Sequence, residues 1–291
     1  MGDKSYVLIT AARNEEAFIE NTLKTVIAQT RLPKTWLIVS DGSTDKTDDI
    51  VRDHARHWDF IRLVRRDNSN KRGFSNQAVA SNYGYESIKN MKFDFVGFLD
   101  ADISLPASYY EQLLARFDAN SRLGIAGGRI IEPAGRRYEP RFGNAADEVA
   151  GAIQFVRRAC YDEIGGLIPL RWGGHDAVAN AMARRKGWEV RSFSDLDVMH
   201  HRPTGTAGTT VWRARFREGM QDYFMGYHPL FEIGKCIRRF SEPPYIVGGL
   251  LRLCGYLWPA ITRQKRMVPP DFVDYLKQQQ LGRLFPSALE R

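Results

Sequence analysis

Phe93-Asp94-Phe95-Val96-Gly97-Phe98-Leu99-Asp100-Ala101-Asp102 is the stretch that decides the fold of this chain. Apart from Asp94, its first seven residues are apolar without alternation, so it reads as a strand covered on both faces. Such strands belong to parallel sheets, and the flanking sequence supplies the helices that cover them. Upstream, Tyr6–Thr10, Trp36–Ser40 and Phe60–Val64 read as further strands. Helices are expected near Glu15–Gln29, Thr47–His57 and Ser75–Lys89. Downstream come a helix from Pro106 to about Phe117 and a strand at Gly124–Ile131. An irregular Gly/Arg/Pro loop at Glu132–Gly143 follows, then Ala150–Val156 and a helix starting near Arg158. A helix from Asp176 to about Lys186 leads to strand pieces at Trp188–Phe193 and Val198–His200. The expected class is α/β, a mostly parallel sheet flanked by helices. In such sheets ligands bind beyond the carboxyl ends of the strands, which directs attention to the residues after each one.

Composition agrees with a globular protein. Of 291 residues, 43% are apolar and 26% charged, which excludes a disordered, collagenous or coiled-coil chain. Cys160, Cys236 and Cys254 are scattered and odd in number, giving neither a disulfide framework nor a metal-knuckle spacing. A reducing compartment is therefore expected. The apolar run Tyr6–Ile9 is too short for a signal-peptide core, and no window of about 20 uncharged apolar residues occurs. A cytoplasmic protein is expected, peripheral on the inner face of the membrane. The net charge of +8 is unevenly placed: residues 1–200 hold 28 Lys+Arg against 27 Asp+Glu, and residues 201–291 hold 14 against 7. A basic, aromatic last third suits a membrane surface, a diphosphate or a nucleic acid, and equally a solvated basic face.

Three consecutive strand ends carry polar clusters. Asp100 and Asp102 face a crevice together, and repelling carboxylates there want a hard divalent cation, Mg²⁺ or Mn²⁺, bridging to a diphosphate. Capping the helix after Pro106 would satisfy the same residues. Asp41-Gly42-Ser43-Thr44-Asp45 follows the second strand as a turn into a helix that Ser43 or Thr44 would cap. Ala11-Ala12-Arg13-Asn14-Glu15 follows the first. Asp41 as a plain turn residue and Glu15 as a helix-dipole carboxylate remain open. Neither Gly-X-Gly-X-X-Gly nor a P-loop is present, so ordinary dinucleotide and triphosphate-loop sites are disfavoured.

Taken in order, these segments resemble family 2 glycosyltransferases of the GT-A fold, of the bacterial envelope or exopolysaccharide type. Ile9–Glu16 (ITAARNEE), Val39–Thr47 (VSDGSTDKT), Phe98–Asp102 (FLDAD) and Gly173-Gly174-His175-Asp176 with Ala183–Trp188 (ARRKGW) carry the resemblance, over about residues 6–202. It implies an inverting, metal-dependent transfer from a nucleotide sugar, expected to be UDP-linked, to a saccharide or lipid-linked saccharide. No nucleic-acid partner is expected. Ala11, Arg13, Glu15, Asp41, Arg72 and Asp100 would then hold the nucleotide, with Arg13 against the base and Asp41 accepting from its N3–H. Asp102, Asp100 and His200 would hold Mn²⁺ or Mg²⁺; strand alternation lets only one of His200 and His201 face the metal, and the resemblance aligns His200 with the family's metal-site histidine. Asp176 would be the general base. His175, which stands where the family has Glu, and Trp172 would orient the acceptor. The segment Asn70–Phe74 departs from the family pattern, and Arg72 is its expected phosphate- or sugar-facing residue.

Two other classes compete. A nucleotidyltransferase wants a glycine-rich triphosphate loop after the first strand, and Ala11–Glu16 has no glycine. A non-catalytic sugar-nucleotide or membrane-binding protein is disfavoured because Asp41, Asp100, Asp102 and Asp176 are all present. The catalytic domain is expected over residues 1–205 and a basic, mostly helical extension over 206–291. Trp212–Met220 is basic and helical, with Arg213 and Arg217 on one face. It lacks the Q-x-x-R-W motif of processive relatives. Tyr245–Ile261 is apolar but broken by Arg252 and Pro259, and Arg263, Lys265 and Arg266 follow it. It fits either a segment lying in the membrane interface or a helix packed on the catalytic domain.

Overall fold

The computed structural model describes residues 4–66, 74–135, 137–141, 145–202, 210–241 and 244–285. The chain forms two compact units: Met1–Pro169 with His175–Pro203, and Leu170–Gly174 with Thr204–Arg291.

The first unit runs β1 (Tyr6–Ala12), α1 (Ile19–Ile27), β2 (Thr35–Asp41), α2 (Thr47–Ala55), β3 (Ile61–Arg66), α3 (Phe74–Ile88), β4 (Phe95–Phe98), β5 (Ile103–Ser104) and α4 (Tyr109–Ala119). It continues with β6 (Leu123–Ala134), β7 (Arg137–Pro140), β8 (Phe155–Arg157), α5 (Arg158–Ile164), α6 (His175–Arg185) and β9 (Glu189–His200). The sheet order is β3-β2-β1-β4-β8-β6-β9-β5, with β7 added on β6. The first four strands are parallel. β8 lies antiparallel between β4 and β6, and β6 is parallel to β9. The described chain between β6 and β8 holds only β7 and a single 3₁₀ turn, Gly151–Ile153. With no helical crossover there, an antiparallel return is the accessible one.

Burial explains the unalternating strands. Every residue of β2 and β4 is buried, and six of the seven in β1. Trp36, wholly buried, keeps its one polar atom satisfied by donating from Nε1 to Thr10 Oγ1 at 3.0 Å. Gly97 is required by packing: a Cβ there would lie 2.5 Å from Leu8 Cδ2 and 3.2 Å from the Phe155 ring. Removing this much apolar surface from water is the main driving force for the fold.

Some local expectations are corrected. α1 begins at Ile19, not Glu15, because Asn14 takes φ +56° and the Glu15 carbonyl closes a turn by accepting from Phe18 and Ile19. Neither Ser43 nor Thr44 caps α2. Ser43 Oγ instead accepts from Asn14 N–H (3.2 Å), and Thr44 N–H donates to Asn14 Oδ1 (2.8 Å), stitching the loops after β1 and β2 together. The expected loop at Glu132–Gly143 is in part a hairpin, since β6 extends to Ala134 and β7 folds back on it from Ala134↔Arg137 to Ile131↔Pro140. The two strand pieces near residue 190 are one strand, β9. A register shift between Gly128↔Phe193 and Arg129↔Asp197 bulges out residues 194–196.

The second unit contains α7 (Val211–Met225), α8 (Pro229–Arg238), α9 (Tyr245–Ile261) and α10 (Pro270–Leu284). Met220, Tyr223, Phe224 and Tyr256 form an apolar core against which Trp172, Phe216 and Tyr227 pack. α7 and α9 meet at Gly219 and Gly255. A Cβ on the first would strike the Arg252 carbonyl and on the second the Phe216 carbonyl, so only glycine lets the two backbones touch. Among the described residues no helix is long and apolar enough to cross a membrane.

Candidate active site

The strand ends of the first unit bring together most of the residues singled out from the sequence. Glu15, after β1, is buried, and its Oε2 lies 2.7 Å from Arg202 Nη2, just past β9. Arg202 also reaches Asp102, with Nε 2.7 Å from Oδ2. Asp102 is 3% exposed and receives a second cation, His200, whose Nε2 is 3.3 Å from the same oxygen. Glu132 Oε1 stands 3.1 Å from the other imidazole nitrogen, Nδ1. Burial opposes the charge on His200, but the hydrogen bonds to Asp102 and Glu132 outweigh it and push the imidazole up to about 9. Burial likewise opposes ionisation of Asp102, yet His200 and Arg202 hold its carboxyl below the usual range.

Asp100 behaves oppositely. The protein packed around it, and then the charge of Asp102, push its carboxyl up to about 7, with Glu15 and Asp176 adding in the same direction. Gln77 Nε2 donates to Asp100 Oδ1. Three carboxylates thus oppose the charge of Asp100, and His200 offsets part of their effect. Asp176, in the first turn of α6, is fixed by Gly151 N–H, which donates to Oδ2 at 2.9 Å. Gln154 holds the start of α6 in place, reaching the Asp176 carbonyl (3.3 Å) and Asn180 Oδ1 (3.0 Å).

Strand alternation separates the two histidines. His200 is turned to Asp102, whereas His201 pairs its Nε2 with Ser104 Oγ at 2.7 Å and stacks on Phe18. Asp41 is buried, with Arg66 Nη1 3.0 Å from Oδ1. Ala11 and Arg13 are half-buried at the same sheet edge. His175 is buried, which pulls its imidazole below the usual value, and its Nδ1 has no hydrogen-bond partner among the described residues. Trp172 packs into the second unit's core, with the Arg171 guanidinium 5.0 Å from its ring. Arg72 lies outside the described residues.

Among the described residues no three His, Cys, Asp or Glu side chains form a preformed metal cluster. The donor chemistry nonetheless fits a hard divalent cation, because Asp100, Asp102 and His200 offer oxygen and imidazole ligands in a site with excess negative charge. Binding would require His200 to lose its proton and Arg202 to release Asp102.

Gln77, Glu132, Arg66 and Arg202 were not expected from the sequence. Arg202 stands directly after the histidine pair, where its position was the available signal. Glu132 had none: only the pairing of Ile131 with Met199 sets it beside His200.

The model of Glycosyl transferase family 2 matches residues 7–188. Poly-beta-1,6-N-acetyl-D-glucosamine synthase of Staphylococcus aureus (strain COL) is 29% identical over 153 residues, covering 52% of this chain and 32% of that protein. The alignment thus spans about a third of the relative's length. Among solved structures, S. aureus TarS 1-349 in complex with UDP-GlcNAc aligns with a TM-score of 0.54 at 17% identity, over 99% of this chain and 82% of that one. Mannosyltransferase PcManGT from Pyrobaculum calidifontis, in complex with GDP-Man and Mn2+, aligns with a TM-score of 0.53 at 17% identity, over 97% and 81%. These likenesses show the GT-A fold that the motifs implied. With the family match spanning β1 to the end of α6 and the acidic strand ends inside it, the chain belongs to glycosyl transferase family 2.

Proposed function

We propose that this protein is an inverting glycosyltransferase that moves a sugar from a UDP-linked donor to a hydroxyl of a saccharide or lipid-linked saccharide. The observation that carries the reading is the convergence of Glu15, Asp100 and Asp102 at the strand ends with Asp176 at the start of α6, where Gly151 N–H holds Asp176 by Oδ2. The names of the relatives favour a UDP-hexosamine donor.

Asp176 Oδ1 accepts the proton of the acceptor hydroxyl while that oxygen attacks the anomeric carbon. The bond from that carbon to the β-phosphate oxygen breaks, and UDP leaves. One displacement inverts the configuration, so no enzyme nucleophile is needed. General-base assistance of this kind is worth roughly 10²–10⁴ in rate. Asp41, steadied by Arg66, accepts from the pyrimidine N3–H, and Arg13 lies against the base beside the small Ala11. Glu15 reaches the ribose, and Arg72 takes a phosphate or sugar. Asp102, Asp100 and His200 would hold Mn²⁺ or Mg²⁺, which would supply neutralisation of the diphosphate leaving group. His175, buried and with no hydrogen-bond partner at Nδ1 among the described residues, orients the acceptor.

The test is incubation of the purified protein with a panel of nucleotide sugars and Mn²⁺ or Mg²⁺, reading nucleotide release and transfer to saccharide acceptors. Release of UDP from one donor supports the reading. Release of pyrophosphate would assign a nucleotidyltransferase, and neither release nor UDP binding would leave a non-catalytic family member.

A further inference from the structure

The helix α9 is turned inside out. Its buried residues are Gly248, Gly249, Arg252, Gly255, Tyr256 and Pro259, a face made mostly of small and charged groups. Six of its large apolar residues point outward: Ile246, Val247, Leu250, Leu257, Trp258 and Ile261 are all exposed, Trp258 by 54% and Ile261 by 74%, while Leu251 and Leu253 are half-buried. At about 100° per residue these six fall within a continuous arc of about 120°. A helix whose only apolar environment is its own protein places such residues inward. Here the inward face is specified by the glycine contacts with α7 and by the ion pairs of Arg252, so the outward face is not a leftover of loose packing. α8 continues the apolar surface with Leu230, Ile233 and Ile237, at spacings of three and four residues and all exposed.

We propose that this α8/α9 face docks on an anionic lipid bilayer, a property that does not depend on which sugar the first unit transfers. Charge decides among occupants. From Ile233 to Pro270 the sequence holds seven Lys and Arg and a single acidic residue, Glu242. Lys235 and Arg252 are spent on Asp222 inside the unit, but Arg238, Arg263 and Lys265 are exposed at the ends of α8 and α9. A second copy laid on the same patch would bring two basic rims together with Glu242 alone in that stretch to offset them. An anionic headgroup layer meets both features, taking the apolar arc at the acyl boundary and the basic ends at the phosphates. Trp258 and Tyr245 are residues of the kind that settle at that depth. Seventeen residues make a helix of about 26 Å, which lies in the interface and does not span it.

Cys254 gives the experiment its probe, since it is exposed on the same arc while Cys160 and Cys236 are buried. The 291-residue chain, labelled at Cys254 with an environment-sensitive fluorophore, is titrated with vesicles of phosphatidylcholine alone or mixed with phosphatidylglycerol. Co-sedimentation of the unlabelled protein serves as a second readout. A blue shift and pelleting with the anionic vesicles only, weakened by high salt, are expected. Arg263→Ser/Lys265→Ser is expected to lower the partition coefficient about tenfold or more, from the effect of each basic residue at an anionic surface. Leu257→Ser/Trp258→Ser is expected to abolish the blue shift with unchanged circular dichroism, because both side chains are exposed. Equal binding to neutral vesicles, or no binding to either, overturns the proposal. So does a dimer in sedimentation velocity that Leu257→Ser/Trp258→Ser dissociates, which would assign the face to a second copy.

Discussion

Replacing Arg252 with methionine keeps the length and most of the apolar stem of the side chain and deletes its charge. Arg252 is 4% exposed and reaches three carboxylates: Nε to Glu232 at 3.0 Å, Nη1 to Glu218 at 2.5 Å, and Nη2 to Asp222. Glu232 and Asp222 are as deeply buried as Arg252 itself. Breaking a buried pair from one side usually costs about 3–5 kcal/mol, because the partner's charge is left in a poor solvent. Two details place this case near the lower end. Lys235 Nζ remains 3.0 and 3.1 Å from the Asp222 oxygens, and Glu232 is pushed up to about 8 by burial and then by Asp222, so it is largely neutral at pH 7. A loss of about 3 kcal/mol is a large part of a typical domain's 5–15. The sign with pH follows. Glu232 titrates above its unfolded value, so its contribution is complete below about 4.5 and is lost as pH rises through about 8. Without Arg252 that carboxyl rises further, so the variant goes on losing stability where the wild type has levelled off. Urea unfolding followed by far-UV circular dichroism at pH 6, 7 and 9 is the assay, and the gap to wild type is expected to widen towards pH 9. A loss under about 1 kcal/mol, or a gap that does not change with pH, would refute this account of the cluster.

Three further perturbations address the first unit. Asp102→Ala is expected to remove the Mn²⁺-dependent part of UDP binding, and an unchanged affinity by titration calorimetry would dismiss Asp102 as a metal ligand. Asp176→Asn is expected to bind donor normally and transfer about 10²–10⁴ times more slowly; transfer within a few-fold of wild type in a single-turnover assay would point to another base. Gly97→Ala, which sets a methyl 2.5 Å from Leu8 Cδ2, is expected to cost about 1–3 kcal/mol in denaturant unfolding, and a neutral result would mean that β1 and β8 give way freely.

How far each feature could be read from the sequence follows from how local its cause is. β1, β2 and β4 are legible because burial on both faces leaves unbroken apolar runs, and the residues after them are legible because the sheet delivers strand ends to one edge. The same sequence hides β7 and the full length of β6, because Glu132–Gly143 is rich in Gly, Arg and Pro and the hairpin it forms carries no apolar alternation. Glu132 is invisible for a different reason, since its place beside His200 is set by the β6–β9 register, which has a bulge that no periodicity announces. Alternation says only that His200 and His201 face opposite ways, and the structure turns His200 to Asp102. α9 is the instructive case. Tyr245–Ile261 was legible to the residue as an apolar segment, with Arg252 and Pro259 read as interruptions. Yet Gly248, Arg252, Gly255 and Pro259 recur at spacings of four, three and four, the period of a packed helical face. The interruptions are the interior, held by glycine contacts and ion pairs, and the apolar run is the exterior. Average hydropathy does not separate those two arrangements. The spacing of the small and charged residues does, and it was present in the sequence throughout.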